Sequence, residues 1–235
     1  MPTLNKRIWE LDFVRGFAIL CVAAVHFTND LKLFAELPLE YPQWFVLIKK
    51  YGGILFVFLS GLCATLGSRS FKRGALVFAA GVCITITTFS LCCLGPFDES
   101  VLVQWGVLHL IGFCMMLYPA YKNAPEWLIF IFAAVCIMLG PWMKSILIES
   151  HWFCPLGIRG YHFKAYDYFP IFPHLGYFML GVVFGKIVYF EKKTLLPKVN
   201  DANPVIRFFC WCGRQSLWIY LIHMPLFIVI TYYLF

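Results

Sequence analysis

Gly16-Phe17-Ala18-Ile19-Leu20-Cys21-Val22-Ala23-Ala24-Val25-His26-Phe27 contains no Asp, Glu, Lys or Arg and a single histidine in twelve residues, and two charged residues, Asp12 and Arg15, stand just before it. A stretch this apolar, extended to about 11–29, approaches the roughly 20 residues that a helix needs to cross the hydrocarbon of a bilayer. The rest of the chain repeats the pattern. Uncharged runs occur at 51–68, 74–97, 100–121, 127–143, 168–185 and 215–235, each bounded by charges or by Pro and Gly. The expectation is an all-α integral membrane protein, a bundle of about seven transmembrane helices. These spans nearly fill residues 1–235, so a single domain is expected.

Composition agrees. Of 235 residues, 61% are apolar and 13% are charged. A soluble domain carries about 25% charged residues and cannot hide so large an apolar excess. A water-soluble globule, a disordered chain and a nucleic-acid module are therefore disfavoured. The net charge of +7 reads instead as a marker of cytoplasmic loops. With the N-terminus inside, inner segments hold Lys6, Arg7, Arg69, Lys72, Arg73, Lys122, Lys186, Lys192, Lys193, Lys198, Arg207 and Arg214. Outer segments hold Lys32, Lys49, Lys50, Lys144, Arg159 and Lys164. That bias predicts a cytoplasmic N-terminus and an outside C-terminus. Lys6-Arg7 and a short apolar core also resemble a signal peptide, but Asp12 and Arg15 interrupt it and no exported soluble domain follows.

Ten cysteines are present, and Cys21, Cys63, Cys83, Cys114 and Cys136 lie inside apolar runs, where Cys acts as a small apolar residue. One disulfide among Cys92, Cys93 and Cys154 is left open. Cys210 and Cys212 form a bare C-x-C, too little for zinc, and no metal is expected.

Ionisable groups at bilayer depth cost at least ~2.5–3.5 kcal/mol each and need a partner, a wet cavity or a function. Asp12 and Arg15 are spaced to pair along one helix face. His26 follows Arg15 by eleven residues, nearly the same face, with a rise of about 16 Å. One stripe thus carries a cation near the cytoplasm and a base toward the outside, on a helix kept slim by Gly16, Ala18, Ala23 and Ala24. His109, His174 and His223 map to mid or outer depth under the same topology. Imidazole suits acid–base work near neutral pH, although for any one of these histidines alone a helix–helix hydrogen bond is the commoner role. Ser216 and Tyr220 share the face of His223. Asp167 precedes a Tyr-Phe-Pro turn, placed to cap a helix or orient a histidine. Aromatics of the 148–167 loop suit a sugar, a headgroup or the interface itself.

The run from Glu10 through Asp12, Arg15 and Gly16 to His26 resembles the small bacterial relatives of heparan-α-glucosaminide N-acetyltransferase, within the wider transmembrane acyltransferase superfamily. Gly106-Val107-Leu108-His109-Leu110-Ile111-Gly112, Asp167-Tyr168-Phe169-Pro170, Leu175-Gly176-Tyr177-Phe178-Met179-Leu180-Gly181 and Gly213 through His223-Met224-Pro225 are similar in the same order. The resemblance implies acyl transfer across the membrane, from cytoplasmic acyl-CoA, acetyl-CoA above all, to an amine or hydroxyl of a sugar-like acceptor facing outward. Arg15 and His26 carry over as the essential pair. The catalytic set expected is then His26, Asp12, Arg15, His109 and His223. Arg15, Arg73 and Arg214 would hold the donor, and Asp167, His174 and Tyr220 would face the acceptor. The expected setting is a bacterial plasma membrane, with lipids, acyl-CoA and a glycan acceptor as partners, no nucleic acid, and oligomerisation open. A transporter for a small polar solute or proton is the alternative that the buried groups leave standing.

Overall fold

A computed structural model describes residues 8–34, 40–94, 101–150, 152–161, 163, 165–199 and 203–234. Lys6, Arg7, His151, His162 and Lys164 lie outside them. The described residues form eight α-helices: α1 (Trp9–Phe34), α2 (Gln43–Leu66), α3 (Ser70–Leu94), α4 (Val107–Tyr121), α5 (Glu126–Ser145), α6 (Ile171–Val188), α7 (Pro204–Arg214) and α8 (Ser216–Leu234). Of these, α1, α2, α3, α5 and α6 are long and apolar enough to cross a membrane, and α4 is apolar but shorter. The protein is an integral membrane protein. Its surface bears this out: Trp44, Leu76, Trp127, Phe132, Met138 and Trp218 are all exposed, which water would not tolerate and lipid favours.

Local sequence explains the helix ends. Glu10 and Asp12 lie in the first turn of α1 and Lys32 in its last, matching the helix dipole. Helix α5 repeats this with Glu126 and Lys144. Helix α7 opens on Asn203, whose side chain accepts a hydrogen bond from the Val205 amide at 2.9 Å, with Pro204 just inside.

Several boundaries differ from the sequence expectation: α1 runs on to Phe34, and α2 starts at Gln43 rather than 51, so Lys49 and Lys50 lie within it. Residues 101–106 do not begin α4. Their backbone runs beside 166–169 instead: Tyr166 donates to Leu102, Phe169 donates to Trp105, and Trp105 forms a bridge with Tyr168. Apolar composition alone cannot separate such a strand-like run from helix. Helix α6 correspondingly starts at Ile171 rather than 168. A further difference is α7, eleven residues that fall between the expected spans. It spans about 16 Å, well short of a 30 Å hydrocarbon core.

The chain divides into two compact units, Met1–Phe56 with Tyr189–Phe235, and Val57–Val188. In the first, α7 lies tightly on α1. A side chain at Gly16 would strike the Phe209 carbonyl, and one at Gly213 would strike the Asp12 carbonyl, so only glycine permits this approach. Phe209 fills the flank against Phe13 at 5.0 Å and Phe17 at 6.0 Å between ring centres. Helix α8 packs on the rest of α1. Arg15 meets Ser216, His26 meets His223, and Phe27 meets Phe227. Partners advance together along both helices, so α1 and α8 run parallel.

In the second unit, α3 packs on α4 and α5 on α6. A two-residue parallel ladder pairs β1 (Leu147–Ile148) with β2 (Arg159–Gly160), and a single 3-10 turn covers Cys154–Leu156. All ten cysteines are free thiols, and Cys154 directs its sulfur toward Gln104 Oε1 at 3.8 Å.

Candidate functional site

Polar side chains gather in each unit. In the first they lie along α1 and α8. Arg15 donates from Nη2 to Ser216 Oγ at 2.9 Å. It does not pair with Asp12, as the spacing had suggested, because α8 presents a buried hydroxyl to the guanidinium. Asp12 stands one turn earlier, its backbone carbonyl against Gly213. A hydroxyl satisfies a donor without cancelling its charge, so Arg15 remains a cation beside the buried Ser216.

Farther along the same two helices, His26, Tyr220 and His223 form a triangle of rings. Centres are 5.1 Å apart for His26 and His223, 5.1 Å for Tyr220 and His223, and 6.4 Å for His26 and Tyr220. Tyr220 and His223 are buried. His223 Nδ1 lies 3.2 Å from the Ile219 carbonyl. A carbonyl only accepts, so neutral His223 carries its proton on Nδ1 and its basic lone pair on Nε2. The stripe read from Arg15 to His26 is thus matched by a second one on α8, from Ser216 through Tyr220 to His223. Ser216 was read as a neighbour of His223 and not as the partner of Arg15, since no intrahelical spacing reveals which helix lies alongside.

Arg214, at the end of α7, is exposed. Arg73 belongs to the second unit, where its guanidinium lies over Gly67.

His109 and Asp167 meet in the second unit, at the start of α4. Asp167 Oδ2 accepts the Val107 amide at 3.0 Å. It caps α4, not the helix that follows it in sequence, because 166–169 run alongside 102–105. His109 Nδ1 accepts the Gly106 amide at 3.2 Å, so its ring reaches back to the first backbone donor of its own helix. With Nδ1 accepting, neutral His109 holds its proton on Nε2, which lies 3.3 Å from Thr85 Oγ1. The Thr85 hydroxyl donates onward to the Val103 carbonyl at 2.7 Å. Each link has a defined direction, and both nitrogens of His109 are engaged. Trp105 stacks on the ring at 5.5 Å and 26°. Thr85 and Trp105 carry this arrangement and were not singled out in the sequence.

His174 stands apart from that chain. Its Nδ1 lies 2.8 Å from the Pro170 carbonyl, which places the proton on Nδ1 and the lone pair on Nε2, with Phe169 and Tyr177 beside the ring. Nearby, burial pushes the Tyr168 phenol up to about 12 and the Cys154 thiol up to about 11. Among the described residues, no group of three His, Cys, Asp or Glu side chains is placed to hold a metal ion.

Residues 7–225 match the family described as "Heparan-alpha-glucosaminide N-acetyltransferase, catalytic". No curated protein and no solved structure matches. The matched span takes in every polar residue placed above, from Arg15 on α1 to His223 on α8, and agrees with the resemblance read from the motifs. This chain belongs to the heparan-alpha-glucosaminide N-acetyltransferase catalytic family.

Proposed function

We propose that this protein moves an acetyl group from cytoplasmic acetyl-CoA to an amine or hydroxyl of a sugar-like acceptor on the outer side of a bacterial plasma membrane. The family supports membrane acetyltransfer. The observation that carries the finer reading is the pair of parallel stripes on α1 and α8: a cation at Arg15 and, about 16 Å along the helix, the rings of His26, Tyr220 and His223. An extended pantetheine arm is comparable to that separation.

Parallel first and last helices also support the topology. They cross in the same sense, so an odd number of crossings separates the ends, as seven spans with the N-terminus inside and the C-terminus outside require. The family match runs through both units, which supports one acyltransferase domain.

In this reading Arg15 holds donor phosphate, helped by Arg214 of the same unit. His26 takes the proton of the acceptor nucleophile as it attacks the thioester carbonyl. The Tyr220 hydroxyl donates to the resulting oxyanion. Collapse breaks the C–S bond, and the proton returns from His26 to the departing thiolate. Attack by His26 itself, through an acyl-histidine, is the covalent variant. Neutral His223, with its lone pair on Nε2, serves as acceptor and orients its neighbours. Asp167 and His109 hold the start of α4, and His174 is assigned to the acceptor side.

The test is purified protein in proteoliposomes with labelled acetyl-CoA. The expected result is coenzyme A release coupled to acetyl transfer. His26→Ala should lower turnover by about 10²–10⁴, the usual worth of a general base. Retained turnover in folded His26→Ala removes His26 from the mechanism, and solute flux without acetyl transfer favours a transporter.

A further inference from the structure

Glu10 has no place in the chemistry above, yet it is a buried carboxylate with a defined task. It lies in the first turn of α1 and is 8% exposed. Both of its oxygens are used, and both bind the same distant loop. Oε2 accepts the Thr194 hydroxyl at 2.7 Å, and Oε1 accepts the Leu195 amide at 2.8 Å. Thr194 Oγ1 in turn accepts the Leu196 amide at 3.2 Å. Among the described residues no cation lies within ion-pair distance of Glu10. Among the described residues its carboxylate is therefore held by hydrogen bonds from the loop, and burial on those terms is costly unless the bonds are good.

The loop held in this way is basic. Residues 189–199 include exposed Lys192, Lys193 and Lys198, against one carboxylate, Glu191. Glu191 pairs with Lys193 at 2.8 Å. The chain reverses through Lys192 in the left-handed region, φ 53°, with its amide on the Tyr189 carbonyl at 2.9 Å. The anchored residues Thr194 and Leu195 thus stand next to the lysines. The anchor itself is five residues before Arg15, about 7.5 Å along α1. On α7, in the same unit, Arg207 and Arg214 are exposed. The latch engages a buried acid of α1 and leaves the loop's exposed charge positive.

We propose that Glu10 is a positioning residue: through Thr194 and Leu195 it fixes the loop carrying Lys192, Lys193 and Lys198 as the cradle for the phosphate end of the acyl donor. This rests on the acyl-CoA reading above. The ligand chemistry is that of clustered phosphates, and the thioester end is untouched by the loop.

The experiment compares acetyl-CoA with acetyl-pantetheine, which lacks the nucleotide and its phosphates, as donors for the full-length protein in detergent. Glu10→Gln keeps one acceptor and loses the other. It should raise KM for acetyl-CoA about fivefold, the equivalent of one ordinary hydrogen bond, with kcat unchanged and KM for acetyl-pantetheine unchanged. Thr194→Val should behave likewise, while Thr194→Ser, which keeps the hydroxyl, should retain wild-type KM. A variant with Lys192→Gln, Lys193→Gln and Lys198→Gln, all at exposed positions, should reproduce the effect without threatening the fold. Equal KM increases for both donors, or an unchanged KM for acetyl-CoA in the lysine variant, would overturn the proposal. If the wild type transfers no acetyl group, the acyl-donor reading fails by itself. Coenzyme A binding by calorimetry then decides the cradle: lost affinity in the lysine variant supports it, and unchanged or absent affinity in both proteins removes it.

Discussion

His109→Ala and His109→Gln separate a structural histidine from a proton carrier. His109 accepts the Gly106 amide, faces Thr85 and stacks on Trp105. Alanine removes all three contacts. A buried amide left without its acceptor costs about 1–3 kcal/mol. The lost stack costs a further 0.5–1.5 kcal/mol or so. His109→Ala should therefore destabilise the fold by roughly 2–4 kcal/mol. Glutamine at this third helical position is a standard capping-box partner and can accept the same amide. His109→Gln should lose only the stack, about 1 kcal/mol. If His109 does no proton transfer, turnover of His109→Gln should stay within about threefold of wild type, where loss of a general acid or base would cost 10²-fold or more. The assay pairs thermal unfolding in detergent with acetyl transfer per folded molecule. A His109→Gln protein as stable as wild type but a hundredfold slower would refute the directional chain drawn from Gly106 to Val103.

Gly213→Ala and Gly16→Ala each place a methyl group against backbone of the neighbouring helix. Overpacking of this kind should cost about 1–3 kcal/mol, read as a lower unfolding temperature, and an unchanged midpoint would contradict the close α1–α7 approach. Ser216→Ala removes the buried partner of Arg15, and should raise KM for acetyl-CoA more than it lowers kcat; the reverse split would move Arg15 away from the donor. Cys154 ionises at about 11 because burial disfavours its thiolate. At pH 8 its alkylation should run about a thousandfold below the high-pH limit and rise tenfold per pH unit. Peptide mapping of Cys154 across the pH range checks this, and a flat profile would place Cys154 in a different environment.

Helices α3, α5 and α6 were legible because unbroken apolar runs bounded by charge have few other uses. Helix α4 was overdrawn at its start because 101–106 are just as apolar but satisfy their backbone sideways. Helix α7 escaped because eleven residues fall below the span criterion and Arg207 and Arg214 read as loop charge. Its inward set of Ile206, Phe209, Cys210 and Gly213 follows helical spacing and was available to the eye. The stripe from Arg15 to His26 could be read within one helix. Ser216 as the partner of Arg15 could not, since periodicity orients a helix without naming its neighbour. Glu10 was passed over for the same reason: an acid at a span edge looks like an interfacial charge until the segment that binds it is known.

The contact between Arg15 and Ser216 joins residues 201 positions apart. During translation α1 emerges well before α8, so the histidine and tyrosine of α8 are missing while everything between is being inserted. A nascent chain halted before Ser216 lacks the α8 side chains that meet Arg15 and His26. The paired stripes are therefore complete only once α8 has been made.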